Sequence, residues 1–260
     1  IQSPHLINAT GLNTQTISGD PDGKGDENQL SAYDIAVIAK HLLQDFPEVT
    51  KYTSKPTALF SNTQIENPNL MLEGMPNYRS GVDGLRVSNS TKGGITFAAS
   101  TTQNGIHMIT VVLGVEAVDG DPYARFVATS SLMNYVVRTF VSSIVVKEGD
   151  PYGKSKATVM DGKSETVLAV AKKDFYIVEK QGSQAEPKIQ FKSNQESFRA
   201  PVKSGTNLGK LHYTDPDKIG RGYLEDQEPT VDMVAGRTIE KSFFLKVWWN
   251  EFVRYVNEKL

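Results

Sequence analysis

A glycine-rich run between residues 81 and 94 contains the side chains best suited to binding chemistry. It reads Gly81-Val82-Asp83-Gly84-Leu85-Arg86-Val87-Ser88-Asn89-Ser90-Thr91-Lys92-Gly93-Gly94. A positive charge is followed there by small hydroxyl and amide groups. A strand edge leaves backbone donors and acceptors unpaired, so this composition favours an anionic, extended, peptide-like ligand. Arg86 and the small polar side chains that follow it are therefore the candidate ligand-binding residues.

The elements that follow this run predict a β-hairpin that positions it. A β-rich run begins at Ile95, and another extends from Ile106 to Val115. Between them lies Asn104-Gly105, and an Asn-Gly pair between two β-rich runs is a strong hairpin signal. We therefore expect the candidate residues to lie along the first edge of a small sheet.

Two helices are predicted in the same half of the chain. Residues 31–46 begin with Ser31 and Asp34, the spacing of a capping box, and end before Pro47. Residues 122–143 carry apolar side chains at helical spacing, and Arg125, Asn134 and Arg138 are placed off that stripe. We expect residues 51–80 to be irregular and favour an ordinary surface loop there, although an Asn-rich turn at Asn67-Pro68-Asn69 could border a site.

These motifs resemble one family. Gly-Val-Asp-Gly-Leu before a basic residue is similar to the approach to the third motif of serine D-alanyl-D-alanine carboxypeptidases, the low-molecular-mass penicillin-binding proteins. The segments Asn8-Ala9-Thr10-Gly11-Leu12 and Ser31-Ala32-Tyr33-Asp34-Ile35-Ala36 also fit that family in order and spacing. The resemblance implies an α+β fold, with a portion of a penicillin-binding or β-lactamase-like α/β domain, then a small all-β sandwich domain and a C-terminal amphipathic helix. We interpret the chain as the C-terminal two-thirds of such a protein.

The family pattern S-x-x-K, S-x-N or S-D-N, and K-T-G is incomplete in this sequence. Neither S-x-x-K nor S-x-N occurs, and Arg86-Val87-Ser88 stands where the resemblance implies Lys-Thr-Gly. Arg86 retains a charge for a substrate carboxylate, Val87 has no hydroxyl group, and Ser88 adds a side chain where glycine leaves room. The resemblance places the oxyanion-hole N–H at Asn89. We predict no catalytic residue in this chain.

Two functions remain open at this point. The resemblance implies a D-Ala-D-Ala carboxypeptidase that trims peptidoglycan stem peptides and binds β-lactams. The altered third motif favours instead a non-catalytic, membrane-associated protein that binds the cell wall or a partner. A lipase-like or protease triad has little support, because no G-x-S-x-G occurs and the histidines lie in no motif, namely His5, His41, His107 and His212.

The second half of the sequence changes character. Short β-rich runs separated by turn signals predict a β-sandwich over residues 145–236, following a first domain at residues 1–144. Residues 237–260 predict an amphipathic helix whose apolar face carries Trp248, Trp249 and Phe252. We favour a membrane interface for this face over packing on the β domain or on a partner.

Composition restricts the remaining possibilities. The formal net charge of −2 argues against nucleic-acid binding, and the absence of cysteine is compatible with an oxidising exterior. We expect no cofactor or metal: the acidic loop around Asp20, Asp22 and Asp26 fits an EF-hand poorly, so a solvated loop is favoured over a weak cation site. We predict secretion after signal-peptide removal, localisation at the extracellular face of the cell membrane, contact with its outer leaflet, and completion of the first domain by another chain or by self-association.

Overall fold

The computed structural model describes residues 4–19, 25–90, 92–220 and 222–259. Its contacts divide the chain into two compact units, Ile1–Val141 and Ser142–Leu260. The predicted α+β fold with a β-rich second half and a C-terminal helix is confirmed. The domain limits at residues 144 and 236 stay a prediction.

Three α-helices in the described part of the chain have 14 to 16 residues, and two have a single turn. The α-helices are α1 (Thr14–Ile17), α2 (Ala32–Asp45), α3 (Thr50–Thr53), α4 (Ala124–Thr139) and α5 (Phe244–Lys259). Three 3₁₀ turns lie at Pro47–Val49, Val118–Gly120 and Leu224–Asp226.

Helix α2 begins where its sequence predicts. The Ser31 hydroxyl accepts a hydrogen bond from the Asp34 N–H at 3.1 Å, and the Asp34 carboxylate accepts one from the Ser31 N–H at 3.1 Å. This reciprocal capping box satisfies two backbone donors that the first turn leaves without partners. The helix ends at Asp45, just before Pro47.

A three-stranded antiparallel sheet forms the centre of the first unit. Its strands are β3 (Val82–Ser90), β4 (Gly94–Gln103) and β5 (Ile106–Val115), in the order β3-β4-β5. Asn104 and Gly105 have φ angles of 53° and 73°, which match the two positive angles of a tight hairpin turn. The predicted hairpin is therefore confirmed, and β3 and β5 are the two edges of this sheet.

The core of this unit joins the sheet to α4 and to the loop before β3. Phe97 on β4 meets Phe126 on α4 edge to face, with ring centroids 5.5 Å apart, and both rings are buried. Burying an aromatic side chain of this size contributes about 1.5–3 kcal/mol. The other buried apolar members are Met71, Leu72, Val82, Ala99, Ile106, Met108, Val112 and Met133.

The segment between residues 51 and 80 is more regular than predicted. Helix α3 is followed by a two-stranded hairpin of β1 (Thr57–Phe60) and β2 (Thr63–Glu66). Ser61 and Asn62 turn between them with φ angles of 45° and 67°. Asparagine tolerates such positive angles because its short side chain can bond locally, a turn signal that the sequence interpretation did not use.

Apart from α5, the second unit consists mainly of strands, the first of which begins just before the unit's limit at Ser142. They are β6 (Phe140–Val146), β7 (Pro151–Met160), β8 (Thr166–Ala171), β9 (Phe175–Lys180), β10 (Lys188–Ser193), β11 (Phe198–Arg199), β12 (Asn207–Thr214) and β13 (Thr230–Ala235). One sheet has the order β10-β12-β13-β8-β7-β11, and β6 pairs with β9. The β domain is confirmed, and its description as a sandwich remains our interpretation.

Both sheets of this unit contribute to one apolar core. Val167, Ala169 and Ala171 alternate along β8 and are buried, while the residues between them are more exposed. Phe175 and Ile177 on β9 belong to the same cluster. This two-residue alternation is what a strand with one buried face requires.

The prediction of a helix over residues 122–143 was wrong at its C-terminal end. Helix α4 ends at Thr139, and residues 140–146 form β6 instead of a last helical turn. That segment reads Phe-Val-Ser-Ser-Ile-Val-Val. Its β-branched side chains lose rotamer freedom in a helix and pack well on a pleated strand, which explains the change at residue 140.

Candidate functional site

The candidate ligand-binding residues lie together on β3, as the sequence predicts. Residues 86–89 pair in register with Ala98, Phe97, Thr96 and Ile95 of β4. No strand among the described residues pairs with the other side of β3. Arg86 and Asn89 are exposed, and Val87 and Ser88 are half-buried. This edge therefore presents a basic side chain beside a strand that no described strand covers on its outer side.

The approach to β3 is fixed by close packing around a glycine. Gly81 has a φ of 86°, and a Cβ atom added there would lie 2.1 Å from the carbonyl oxygen of Thr102. Only glycine adopts that angle without strain while its backbone approaches a neighbouring chain so closely. Gly84 is also crowded, since an added Cβ would lie 2.7 Å from the Thr53 hydroxyl oxygen.

The Asn67-Pro68-Asn69 turn supports β3 directly. Asn69 is 1% exposed, and its side-chain amide donates to the carbonyl of Gly84 at 3.3 Å. The Thr53 hydroxyl donates to the carbonyl of Asp83 at 2.6 Å. Asn67 ties the same turn to the backbone of Thr53 and Lys55 at 3.0 and 3.1 Å. The sequence favoured an ordinary surface loop here. The turn instead holds β3 in place through these hydrogen bonds.

Arg125 is the functional neighbour that sequence reasoning missed. It was placed off the core stripe of α4, and this was wrong, because the residue is only 6% exposed. Its guanidinium donates to the carbonyls of Ser88 and Thr96 at 2.9 and 3.1 Å and also to the side-chain oxygen of Asn89. Burial lowers the pKa of Arg125. Its position in the helix could have indicated this, because it lies four residues before the buried Thr129 and therefore on the same helix face.

Two clefts adjoin along β3. One, of about 270 Å³, has Arg86, Tyr52, Lys55 and Glu66 among its lining residues. The other, of about 330 Å³, is lined by Ser88, Asn89 and Arg125, together with Leu70, Pro122 and Phe126. Pro68 and Val87 line both clefts. With Lys55, Arg86 and Arg125 against the single acid Glu66, the two clefts form a surface that suits an anionic ligand.

A serine and a histidine do come into contact near this sheet. The Ser100 hydroxyl lies 2.9 Å from Nε2 of His107, across the β4–β5 hairpin. Ser100 is fully buried, at 0% exposure. A nucleophile must reach its substrate, so we assign this pair a structural role.

No metal-binding group appears among the described residues. Asp20 and Asp22 of the acidic loop lie outside the described residues. Asp26, the third acid of that loop, lies 3.9 Å from the ammonium group of Lys92. The expectation that no cofactor or metal is used stays a prediction.

The predicted aromatic face is exposed on α5. Trp248 and Trp249 are 61% and 59% exposed. Both rings contact that of Phe252, each with ring centroids 6.0 Å apart. Within the described part of the chain no helix is both long and apolar enough to cross a membrane. Contact of this face with a membrane surface stays a prediction.

Comparisons with known families give two matches along the chain. Residues 1–117 match the family model for D-alanyl-D-alanine carboxypeptidase. Residues 140–241 match the model for the C-terminal domain of penicillin-binding protein 5. The two matches follow one another and span most of the chain.

Individual proteins agree with these matches. D-alanyl-D-alanine carboxypeptidase DacA of Haemophilus influenzae is 29% identical over 195 residues, covering 74% of this chain and 47% of that protein. DacA of Escherichia coli is 26% identical over 246 residues, covering 93% of this chain and 56% of that protein. The chain therefore spans about half the length of the curated relatives it matches.

One solved structure is similar over nearly the whole chain. It is that of a peptidoglycan synthesis regulatory factor (PBP3) from Streptococcus pneumoniae, with a TM-score of 0.86 and 43% sequence identity. The match covers 92% of this chain and 66% of that one.

Proposed function

The chain belongs to the family of D-alanyl-D-alanine carboxypeptidases, and from this premise we propose that it takes part in peptidoglycan metabolism as the ligand-binding portion of such a penicillin-binding protein. The observation that carries the proposal is the free edge of β3, where Arg86 stands beside two adjoining clefts. The proposed ligands are a stem peptide ending in D-Ala-D-Ala and the β-lactams.

Binding follows from the geometry of the edge. A peptide laid along β3 pairs with those backbone groups of the strand that Thr53, Asn69 and Arg125 do not occupy, as in β-strand addition. The guanidinium of Arg86 is exposed and suits the terminal carboxylate, which it can hold through two parallel hydrogen bonds. Arg125 holds the Ser88 carbonyl and the Asn89 side chain in place, so the edge is ordered before the ligand arrives.

Replacing Arg86 tests this site. We expect Arg86→Ala to weaken binding of a diacetylated Lys-D-Ala-D-Ala peptide by about tenfold or more, since a hydrogen bond to a charged group is worth about 1.5–3 kcal/mol. Calorimetric titration measures the change. Lys51→Ala, which removes an exposed charge of the same unit that lines neither cleft, is the matched control. Unchanged binding by Arg86→Ala would exclude this edge as the peptide site.

We further propose that the polypeptide of residues 1–260 does not form an acyl-enzyme by itself. The resemblance assigns the attacking serine to S-x-x-K, and this sequence contains no such motif. Intact-mass spectrometry before and after incubation with benzylpenicillin tests this. We expect no change in mass, and an increase equal to one penicillin would refute the proposal.

A non-catalytic role is the second candidate, and the residues at 87 and 88 favour it. Val87 cannot donate a hydroxyl bond, and Ser88 adds a side chain where close approach of the ligand needs space. The triple variant Arg86→Lys, Val87→Thr, Ser88→Gly restores the family pattern. A large gain in stem-peptide affinity supports a degenerate peptidase edge, whereas unchanged affinity favours recognition of a different partner.

We propose the extracellular face of the cell membrane as the location, with α5 lying in the outer-leaflet interface. The exposed Trp248, Trp249 and Phe252 support this, because aromatic side chains favour that region. The triple alanine variant at these positions is expected to lose co-sedimentation with lipid vesicles. Tyr176→Ala, an exposed aromatic residue on β9, is the control. Equal co-sedimentation of both variants would count against the interface.

The outer side of β5 is our proposed contact for a complementing chain or a second copy. No described strand pairs with it, and an unpaired edge is a template for another strand. Light scattering across a range of protein concentrations tests the second-copy form. A molecular mass that stays at one chain throughout would contradict it.

A further inference from the structure

The outer face of the six-stranded sheet carries a row of charged residues. Lys192 on β10 is the direct partner of Lys210 on β12, which is in turn the partner of Asp232 on β13. Directly paired residues point to the same face of a sheet. Lys172, just after β8, continues the row, with its ammonium nitrogen 3.8 Å from an Asp232 carboxylate oxygen. With strands about 4.8 Å apart, the row extends over about 14 Å.

Positive charge dominates this row. Lys192 and Lys210 form no ion pair within the described part of the chain, and both are exposed. Like charges directly opposite each other on neighbouring strands lower stability. Partial burial, and then the charges of Lys192 and Lys210, lower the pKa of the nearby His212. Glu228, whose charge opposes this shift, is itself held by Lys218 at 2.7 Å.

Two clefts open beside the row on the same unit. One, of about 390 Å³, is lined by Lys172, Lys173 and Lys210 with Thr230, Val231 and Asp232. The other, of about 410 Å³, is lined by Lys156 and Arg237 with Thr166, Leu168, Val170 and Gly236. We call this surface the basic face and define it by Lys156, Lys172, Lys173, Lys192, Lys210 and Arg237.

We propose that the basic face binds a flexible polyanion whose charges are carried by phosphate groups. All but one of its cations are lysines, whose compact ammonium groups bind phosphate oxygens as point charges and do not require a fixed ligand geometry. The cations are spread over two clefts and a row, which suits a polymer with repeated charges. Nothing in this inference depends on the β3 edge.

A lipid bilayer fits this surface less well. Surfaces that lie in a membrane interface carry aromatic anchors beside their cations. Neither of the two clefts is lined by an aromatic residue. The exposed tryptophans of this unit are on α5.

Charge removal at the row tests the proposal on the full chain with medium-chain inorganic polyphosphate as the probe. We expect Lys192→Ala/Lys210→Ala to weaken binding by about tenfold or more in a calorimetric titration at low ionic strength. The matched control is Lys163→Ala/Lys203→Ala, which removes the same charge from exposed positions outside the basic face. The control should bind within about twofold of the unchanged chain.

Three results would overturn the inference. Equal losses in the two double variants would mean that polyphosphate senses only net charge. No measurable binding by the unchanged chain would remove the site. Binding to vesicles of anionic phospholipid that depends on Lys192 and Lys210, without polyphosphate binding, would assign the face to a membrane surface. The thermal midpoint of Lys192→Ala/Lys210→Ala should not fall, because the change relieves repulsion, so misfolding is separable from lost binding.

Discussion

The β3 edge and the basic face place their charged residues in different ways. Arg86 and its neighbours depend on hydrogen bonds from three separate segments, supplied by Thr53, Asn69 and Arg125. On the basic face, Lys192 and Lys210 are brought together by strand register alone. The structure of the first site therefore depends on residues far away in the chain. The structure of the second should be little changed when its exposed side chains are replaced.

The largest expected effect follows from Gly81. We predict that Gly81→Ala lowers the free energy of unfolding of the first unit by about 3 kcal/mol or more, because a clash and a positive φ add together. Its added Cβ would lie 2.1 Å from the Thr102 carbonyl oxygen. Gly74→Ala is the control, since its φ is 80° but no atom lies within 4 Å. Measured by urea denaturation, Gly74→Ala should lower the free energy of unfolding by only about 1–2 kcal/mol. Equal losses for the two variants would show that the close approach of Gly81 to Thr102 does not contribute to the loss.

Removal of Arg125 comes next. Arg125→Met keeps much of the side-chain volume but leaves the Ser88 and Thr96 carbonyls without this donor. We expect a loss of about 2–3 kcal/mol in unfolding free energy, with weaker stem-peptide binding. Arg138→Met, at an exposed position on the same helix, should stay within about 0.5 kcal/mol of the unchanged chain. Intact peptide affinity in the Arg125 variant would mean that β3 is ordered without it.

The smallest effect is predicted in the second unit, at Glu228. Its carboxylate accepts hydrogen bonds from Lys218 and Thr214 at 2.7 and 2.9 Å, and these bonds lower its pKa. Because the pKa of this carboxyl is lower in the folded than in the unfolded state, its ionised form stabilises the fold at pH values above the unfolded pKa of about 4.3. That stabilisation is lost as the pH falls through the folded pKa. We expect Glu228→Gln to cost about 0.5–1 kcal/mol at pH 7 and progressively less in acid.

Thermal unfolding between pH 3 and pH 7 measures this dependence. This range spans the unperturbed pKa of a glutamate carboxyl, which is about 4.3. Glu196→Gln is the control, because Glu196 is exposed. A Glu228→Gln cost that is constant with pH, or that grows in acid, would contradict the assignment.

Local signals in the sequence predicted several elements well. The Ser31 and Asp34 capping box and the Asn104-Gly105 turn each depend on residues that are close in the chain, and both formed as expected. The position of residues 86–89 on a strand edge also followed from the hairpin. These features need no knowledge of distant contacts.

Features that depend on distant contacts escaped the sequence interpretation. Arg125 was assigned to the wrong part of α4, because its three acceptors lie about 30 or more residues earlier in the chain. Nothing local to Ser100 indicates its contact with His107, which the hairpin register creates. The like-charge pair of Lys192 and Lys210 likewise becomes visible only when β10 and β12 are aligned.

Strand β10 is one of the two outermost strands of the six-stranded sheet, and because no described strand pairs with its other side, that side is open to pairing with another chain. Lys188 and Lys192 are exposed on it. Charged lysines on an edge strand oppose edge-to-edge aggregation, because pairing would bring their ammonium groups against a second sheet. The same lysines therefore protect the solubility of the β domain, and replacing them with apolar residues would convert this edge into a nucleus for aggregation.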